Sequence, residues 1–234
     1  MELINKNNHK ISFIASMNIS LANAIRRTVV EIPVLAIREC DFYKNDSALY
    51  DEMIAQRLGL VPLKNQKLKK GEIIELKMKA KGAEGGIYVM SGELGDMVVF
   101  PDMPIVYLDK GQSIEIVARV GMGDGQEHAK FIPGLFYYKN LSKIKINKEG
   151  ESLIELSKIY PEIFEFKDKL MVKDASKCEL DTEDLKNYPG VEITFDNKLV
   201  FDIETWGQMS TTDIFLESCK TLKSNLSEVS KLLK

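Results

Sequence analysis

Near the carboxy terminus, Phe215, Cys219, Leu222, Leu226, Val229 and Leu233 recur at spacings of 4, 3, 4, 3 and 4. Only an α-helix brings such positions onto one line, because its turns return every 3.6 residues. Ser210-x-x-Asp213 supplies a capping box in front of it, so a helix is predicted over residues 212–234. That helix would be about 34 Å long at about 1.5 Å per residue. Its apolar seam is narrow and heptad-like, the form taken by a helix that lies along another helix. Two covers would satisfy the seam: the chain's own sheet, or a helix of a second chain.

The rest of the chain alternates between two other periods. Ile11, Phe13 and Ala15 alternate as in a half-buried strand. Ser20 then stands as an N-cap before a helix whose apolar stripe is Leu21, Ile25, Val29 and Ile32, with Arg26 and Arg27 projecting away. Pro33 stops that helix, and residues 34–42 are predicted to form a strand. A short helix fits residues 51–58, capped by Asp51 and closed by Gly59 and Pro62. From residue 72 the period becomes two: Ile74, Leu76, Met78 and Ala80, then Ile114, Ile116, Ala118 and Val120. Glycines and prolines between residues 82 and 105 mark turns joining short strands. Val191, Ile193 and Phe195 alternate into Asp196-Asn197-Lys198, and Leu199, Phe201 and Ile203 alternate out, a hairpin pattern.

Composition removes several function classes. Lys and Arg number 32 against 35 Asp and Glu, for a net charge of −3. A protein holding DNA alone by its phosphates would carry a basic excess. Residues 151–190 hold six lysines and ten acids, so the acidity is concentrated there. Cys40, Cys178 and Cys219 are far apart and form no C-x-x-C pair, which argues against disulfides and four-thiolate zinc. No secretory h-region opens the chain and no apolar run approaches the ~20 residues of a membrane span. A cytoplasmic protein without a membrane partner is the expectation.

Catalytic material is thin. His9 and His128 are the two histidines, too few for a histidine-rich metal site. His128 follows a run with glycines at 121, 123 and 125, which matches neither G-x-G-x-x-G nor a P-loop. The run is expected to position His128 and Lys130 for structural or partner contacts. No Asp-x-Asp-x-Asp motif is present to hold paired magnesium ions. Arg26 and Arg27 are either a solvated helix face or a bidentate grip on a partner's carboxylates. Cys178, Asp181, Asp184 and Tyr188 keep the spacing of C-x₂-C-x₂-C-x₃-C-P, the bacterial ferredoxin cluster run, with one cysteine left. One thiolate cannot hold a [4Fe–4S] cluster, so no cofactor is expected. Chance spacing and a degenerate ligand set both account for the run at this point.

Four segments carry a resemblance. They are Ser20-Leu-Ala-Asn-Ala-Ile-Arg-Arg-Thr-Val-Val-Glu-Ile-Pro33, Asp51-Glu-Met-Ile-Ala-Gln-Arg-Leu-Gly-Leu-Val-Pro-Leu63, Glu127-His-Ala-Lys130 with Pro133, and Phe201-Asp-Ile-Glu-Thr-Trp-Gly207. Together the chain resembles the family of D-type, alpha-like subunits of archaeal DNA-directed RNA polymerase. That family is similar to the amino-terminal region of the bacterial alpha subunit and to the third-largest subunit of eukaryotic RNA polymerase II.

The resemblance implies an α+β fold: a discontinuous dimerisation domain, made of a sheet and two interface helices, from residues 1–42 and 191–234. It implies an inserted β-rich domain over 43–150 and a ferredoxin-like segment over 151–190 lacking cluster ligands, which favours the degenerate-ligand explanation of the Cys178 run. Members of the family form a heterodimer with the polymerase's small L-type subunit, here through Leu21, Ile25, Val29 and Ile32 and through the Phe215–Leu233 seam. Arg26 and Arg27 would face a large catalytic subunit, and small zinc-binding subunits are further partners. The implied role is a non-catalytic assembly platform, with catalytic residues on other subunits and no sequence-specific nucleic-acid contact. The rival is a small ferredoxin-like redox protein.

Overall fold

The computed structural model describes residues 1–66, 68, 72–181 and 183–233. Its elements are β1 (Glu2–Lys6), β2 (Lys10–Ala15), α1 (Ile19–Thr28), β3 (Val34–Asn45), α2 (Asp51–Gly59), β4 (Ile74–Lys81), β5 (Ile87–Met90), β6 (Pro104–Leu108), β7 (Ser113–Gly123), β8 (Gly134–Ile146), α3 (Ile154–Ile159), β9 (Phe164–Phe166), β10 (Leu170–Val172), β11 (Val191–Thr205) and α4 (Thr211–Leu232). The architecture is mixed α+β, with several small sheets and few helices. No helix among the described residues is long and apolar enough to cross a membrane.

The chain divides into two compact units. The first comprises Met1–Lys6, Ile11–Ala22 and Tyr137–Asp202. Strands β1, β2, β11 and β8 form its four-stranded sheet in that order, with β1 antiparallel to β2. The acidic stretch adds α3 and the β9–β10 hairpin, closed over Leu156, Ile163, Phe164, Leu170, Cys178, Leu180 and Leu185. Val191 and Ile193 of β11 extend the same core.

The hairpin expected across residues 191–203 is instead one continuous strand, β11. A two-residue type I′ turn needs φ above zero at both central residues, and no non-glycine residue among those described adopts it. Asp196 is held in the extended chain, where its carboxylate meets Lys143 Nζ of β8 at 3.2 Å. That ammonium and the Asn197 N–H keep the Asp196 carboxyl below its ordinary pKa.

The second unit comprises Asn7–Lys10, Asn23–Phe136 and Ile203–Lys234. Its three-stranded sheet has the order β3-β7-β4, antiparallel throughout. The period of two in β4 and β7 puts Leu76, Met78, Ile114, Ile116, Ala118 and Val120 on the inner face. Ile54 and Leu58 of α2 pack there, with Val89, Val106 and Leu108 of the β5–β6 pair. The outer face is a charge ladder: Arg119 of β7 pairs with Glu39 and Asp41 of β3 and lies 3.9 Å from Glu75 of β4. Tyr50 occupies the N-cap position of α2, where Asp51 was expected, and makes no side-chain cap bond.

The glycine-spaced run at the end of β7 and just beyond it is shaped by close approach. A Cβ on Gly121 would meet Arg38 Cδ at 2.7 Å, one on Gly123 the Phe131 ring at 2.6 Å, and one on Gly125 the Val30 carbonyl at 2.9 Å. These contacts lock the loop that carries His128 and Lys130.

Candidate subunit interface

Helix α1 begins two residues earlier than expected, and its cap is Asn18 rather than Ser20. The Asn18 side-chain oxygen accepts from the Ser20 N–H at 2.8 Å, and its backbone carbonyl accepts from Ala22 at 3.0 Å. After Thr28 the helix tightens into a 3₁₀ turn, Val29–Glu31, before Pro33 ends it. Ile25, Val29 and Ile32 are buried within the chain, whereas Leu21 and Ile19 are exposed. Arg26 forks onto the Asn23 side-chain oxygen through Nε at 3.2 Å and Nη2 at 3.0 Å. Arg27 is exposed.

Helix α4 starts at the expected cap. Ser210 Oγ accepts from the Asp213 N–H at 3.1 Å and donates to the Asp213 carboxylate at 2.6 Å. The expected terminus at residue 234 lies outside the described residues. The helix rests on the chain through Thr211, Ile214 and Ser218, continued by the half-buried Thr221 and Asn225. Thr28 Oγ donates to the Ser218 carbonyl at 3.0 Å, and Asn225 donates to the Glu31 carboxylate at 2.7 Å. Small and polar side chains let α4 approach the turn after α1, and no periodicity of apolar residues marks that line.

The apolar seam is centred about 70° round the helix from this resting line, at about 100° per residue. Phe215, Cys219 and Leu222 are half-buried, with the Phe215 ring centroid 6.1 Å from that of Phe136. Burial raises the Cys219 thiol pKa. Beyond Asn225 the support ends. Leu226 is 62% exposed, Val229 53%, Leu232 87% and Leu233 83%, and residues 226–233 are exposed on every side. Seven residues of helix carrying two seam positions, with Leu233 just past its end, have nothing among the described residues to lie on.

The other residues singled out from sequence are placed elsewhere. His128 is exposed, and its Nδ1 accepts from the Lys130 N–H at 3.1 Å. Glu127 forks onto Arg38, with Nη1 at 3.0 Å from one oxygen and Nη2 on the other. Cys40 is half-buried, and burial pushes its thiol up to about 11. Cys178 is buried in the core of the acidic stretch. Asp181 Oδ1 accepts from the N–H groups of Glu183 and Asp184, and Asp184 Oδ2 accepts from that of Asp181. The two carboxylates thus close a turn on each other's backbone, and Tyr188 packs on the small core. Among the described residues, no three His, Cys, Asp or Glu side chains converge as metal ligands.

Such a chain is of a recognisable class: a mixed α+β subunit whose longest helix ends as an uncovered apolar rod. Residues 13–226 match the model of the RNA polymerase Rpb3/Rpb11 dimerisation domain, and the chain belongs to that family. It is similar to the DNA-directed RNA polymerase subunit Rpo3 of Pyrococcus horikoshii, at 33% identity over 92% of this chain and 90% of the relative. The Rpo3 subunits of Thermococcus kodakarensis and Pyrococcus furiosus are 34% and 32% identical. Those alignments cover 94% and 99% of this chain, and 92% and 97% of the relatives.

Proposed function

We propose that the chain is a non-catalytic assembly subunit of an archaeal DNA-directed RNA polymerase that pairs with a small L/Rpb11-like subunit. The observation that carries this reading is the exposed end of α4, where Leu226, Val229 and Leu233 continue a seam with no cover from this chain. A facing helix that buried those three side chains would gain roughly 4–9 kcal/mol before ordering costs. Phe215, Cys219 and Leu222 would continue the interface towards the start of the helix. The exposed Leu21 of α1 is a further contact, while Ile25, Val29 and Ile32 support the helix from within the core.

The finer organisation belongs to the same proposal. We read the chain ends, 1–42 and 191–234, as the dimerisation domain, 43–150 as an insertion, and 151–190 as a ferredoxin-like segment. The separate small core of the acidic stretch supports the last of these. A [4Fe–4S] cluster does not fit there, because the run offers one thiol, which is buried, and the Asp181 and Asp184 carboxylates are committed to backbone N–H groups. The redox alternative is accordingly disfavoured. Arg26 and Arg27 are assigned to a large subunit, small zinc-binding subunits complete the assembly, and the magnesium-binding carboxylates are placed on other chains.

Co-expression with the cognate small subunit should yield a 1:1 complex by light scattering at micromolar concentration. A chain that stays monomeric beside that partner overturns the proposal. The purified chain should also be colourless and iron-free, and a cluster absorption band would overturn the assignment of Cys178.

A further inference from the structure

Away from α4, a hollow of about 320 Å³ is lined by Leu60, Pro62, Ala129, Lys130, Ile132, Trp206 and Gln208. Leu60 and Trp206 are both exposed, an unusual position for the chain's one tryptophan. Lys130 enters from the loop locked by Gly121, Gly123 and Gly125. Its ammonium donates to the Ile37 carbonyl at 2.7 Å and lies 5.3 Å from the Phe131 ring centroid. An ammonium has three N–H donors, and a backbone carbonyl answers one of them. No carboxylate among the described residues pairs with Lys130, because neighbouring Glu127 is forked onto Arg38. Desolvation and the adjacent Arg38 guanidinium hold Lys130 below the ordinary lysine pKa. Gln208 is nine-tenths buried in the same wall, and its side-chain oxygen meets no donor among the described residues.

A partly buried cation with no ion pair among the described residues, beside two exposed apolar side chains, is a surface built for completion from outside. We infer that this hollow docks a polypeptide segment of a polymerase subunit other than the small partner, presenting a carboxylate to Lys130 and an apolar side chain to Leu60 and Trp206. The inference rests on the assembly role proposed above. Charge complementarity selects the carboxylate, and the aliphatic walls of Leu60, Pro62 and Ile132 select a protein over nucleic acid. A phosphate backbone would call for several cations along a track, and among the described residues Lys130 is the one charged side chain lining this hollow.

The test uses heterodimers of the full chain with its small subunit, titrated with the remaining reconstituted polymerase subunits. Leu60 is exposed, so both signs of charge can be placed at the rim without disturbing the core. Leu60→Glu should weaken association at least tenfold, and Leu60→Lys should bind at least tenfold tighter than Leu60→Glu. Lys130→Met should weaken association to a similar degree while the 1:1 heterodimer survives. A photo-crosslinking residue at Trp206 should capture a peptide with Asp or Glu within two or three positions of the crosslink. Equal effects of the two Leu60 variants, capture of nucleic acid, or capture of a segment without acids would each overturn the inference. Loss of the small subunit by the unmodified chain would instead sink the assembly reading.

Discussion

Helix α1 with the turn behind it, and helix α4, both carry apolar lines at helical spacing, yet those lines end in opposite environments. Ile25, Val29 and Ile32 are almost wholly enclosed by this chain, while Leu226, Val229 and Leu233 stand in solvent. The contacts between the two elements explain the difference. Val29–Glu31 receives α4 on one side through Thr28, Glu31, Ser218 and Asn225, which are small or polar. The line that α4 uses to sit on its own chain is therefore not its apolar line. Periodicity reports which residues share a face; it does not report which chain covers that face. Only the end of the apolar edge, from Leu226 on, is exposed, and that end is what the proposed pairing with a small subunit would cover.

The largest break in this comparison comes from the enclosed line. Ile32→Ala removes a side chain only 1% exposed and should cost about 2–5 kcal/mol of chain stability. Denaturant unfolding of the isolated chain will measure it. Leu226→Glu should do the reverse. It should leave the melting of the isolated chain unchanged and weaken association with the small subunit by about 2 kcal/mol or more, read by calorimetric titration. Equal loss of stability in the two variants would erase the distinction between the lines.

Much of this fold was legible because simple periods survived packing. Strands β4 and β7 are wet on one face, so Leu76, Met78, Ile116 and Ala118 alternate cleanly and were placed correctly. Ser210 and Asp213 announced α4 through local hydrogen bonds that need no tertiary context. Residues 196–198 misled because their polar side chains imitate a turn, whereas the chain runs through them as one strand beside β8, with Asp196 paired to Lys143. The cap of α1 was misplaced by two residues because Asn18 and Ser20 are equally good caps in isolation. Of the candidate interface, the seam could be written down from sequence. Its resting line could not, since Thr28, Ser218 and Asn225 contribute through hydroxyl, carbonyl and amide contacts between segments about 190 residues apart.

A smaller effect tests whether the start of α4 is set locally. Ser210→Ala removes the side-chain acceptor of the Asp213 N–H and should cost about 1 kcal/mol. The loss should appear in the melting of the isolated chain, because residues 211–225 are its seated part. Association with the small subunit should change less than stability does. A variant that binds much more weakly at unchanged stability would place the interface at the first turn instead of the seam.

The finest test concerns where α4 leaves its own chain, and Asn225 marks that point by its 2.7 Å bond to Glu31. Beyond it, α4 has no tertiary support among the described residues, and a helical end of so few residues is not stable through its own hydrogen bonds. Amide exchange of residues 226–232 in the isolated chain should therefore be fast, while amides around Ile214 and Ser218 exchange slowly. Asn225→Ala should cost roughly 0.5–1.5 kcal/mol and move the boundary of fast exchange towards Leu222. Binding of the small subunit should slow exchange over 226–232, because the facing helix supplies the missing burial. If those amides are slow in the isolated chain, the end of α4 is already covered, and the contrast between the two helices fails.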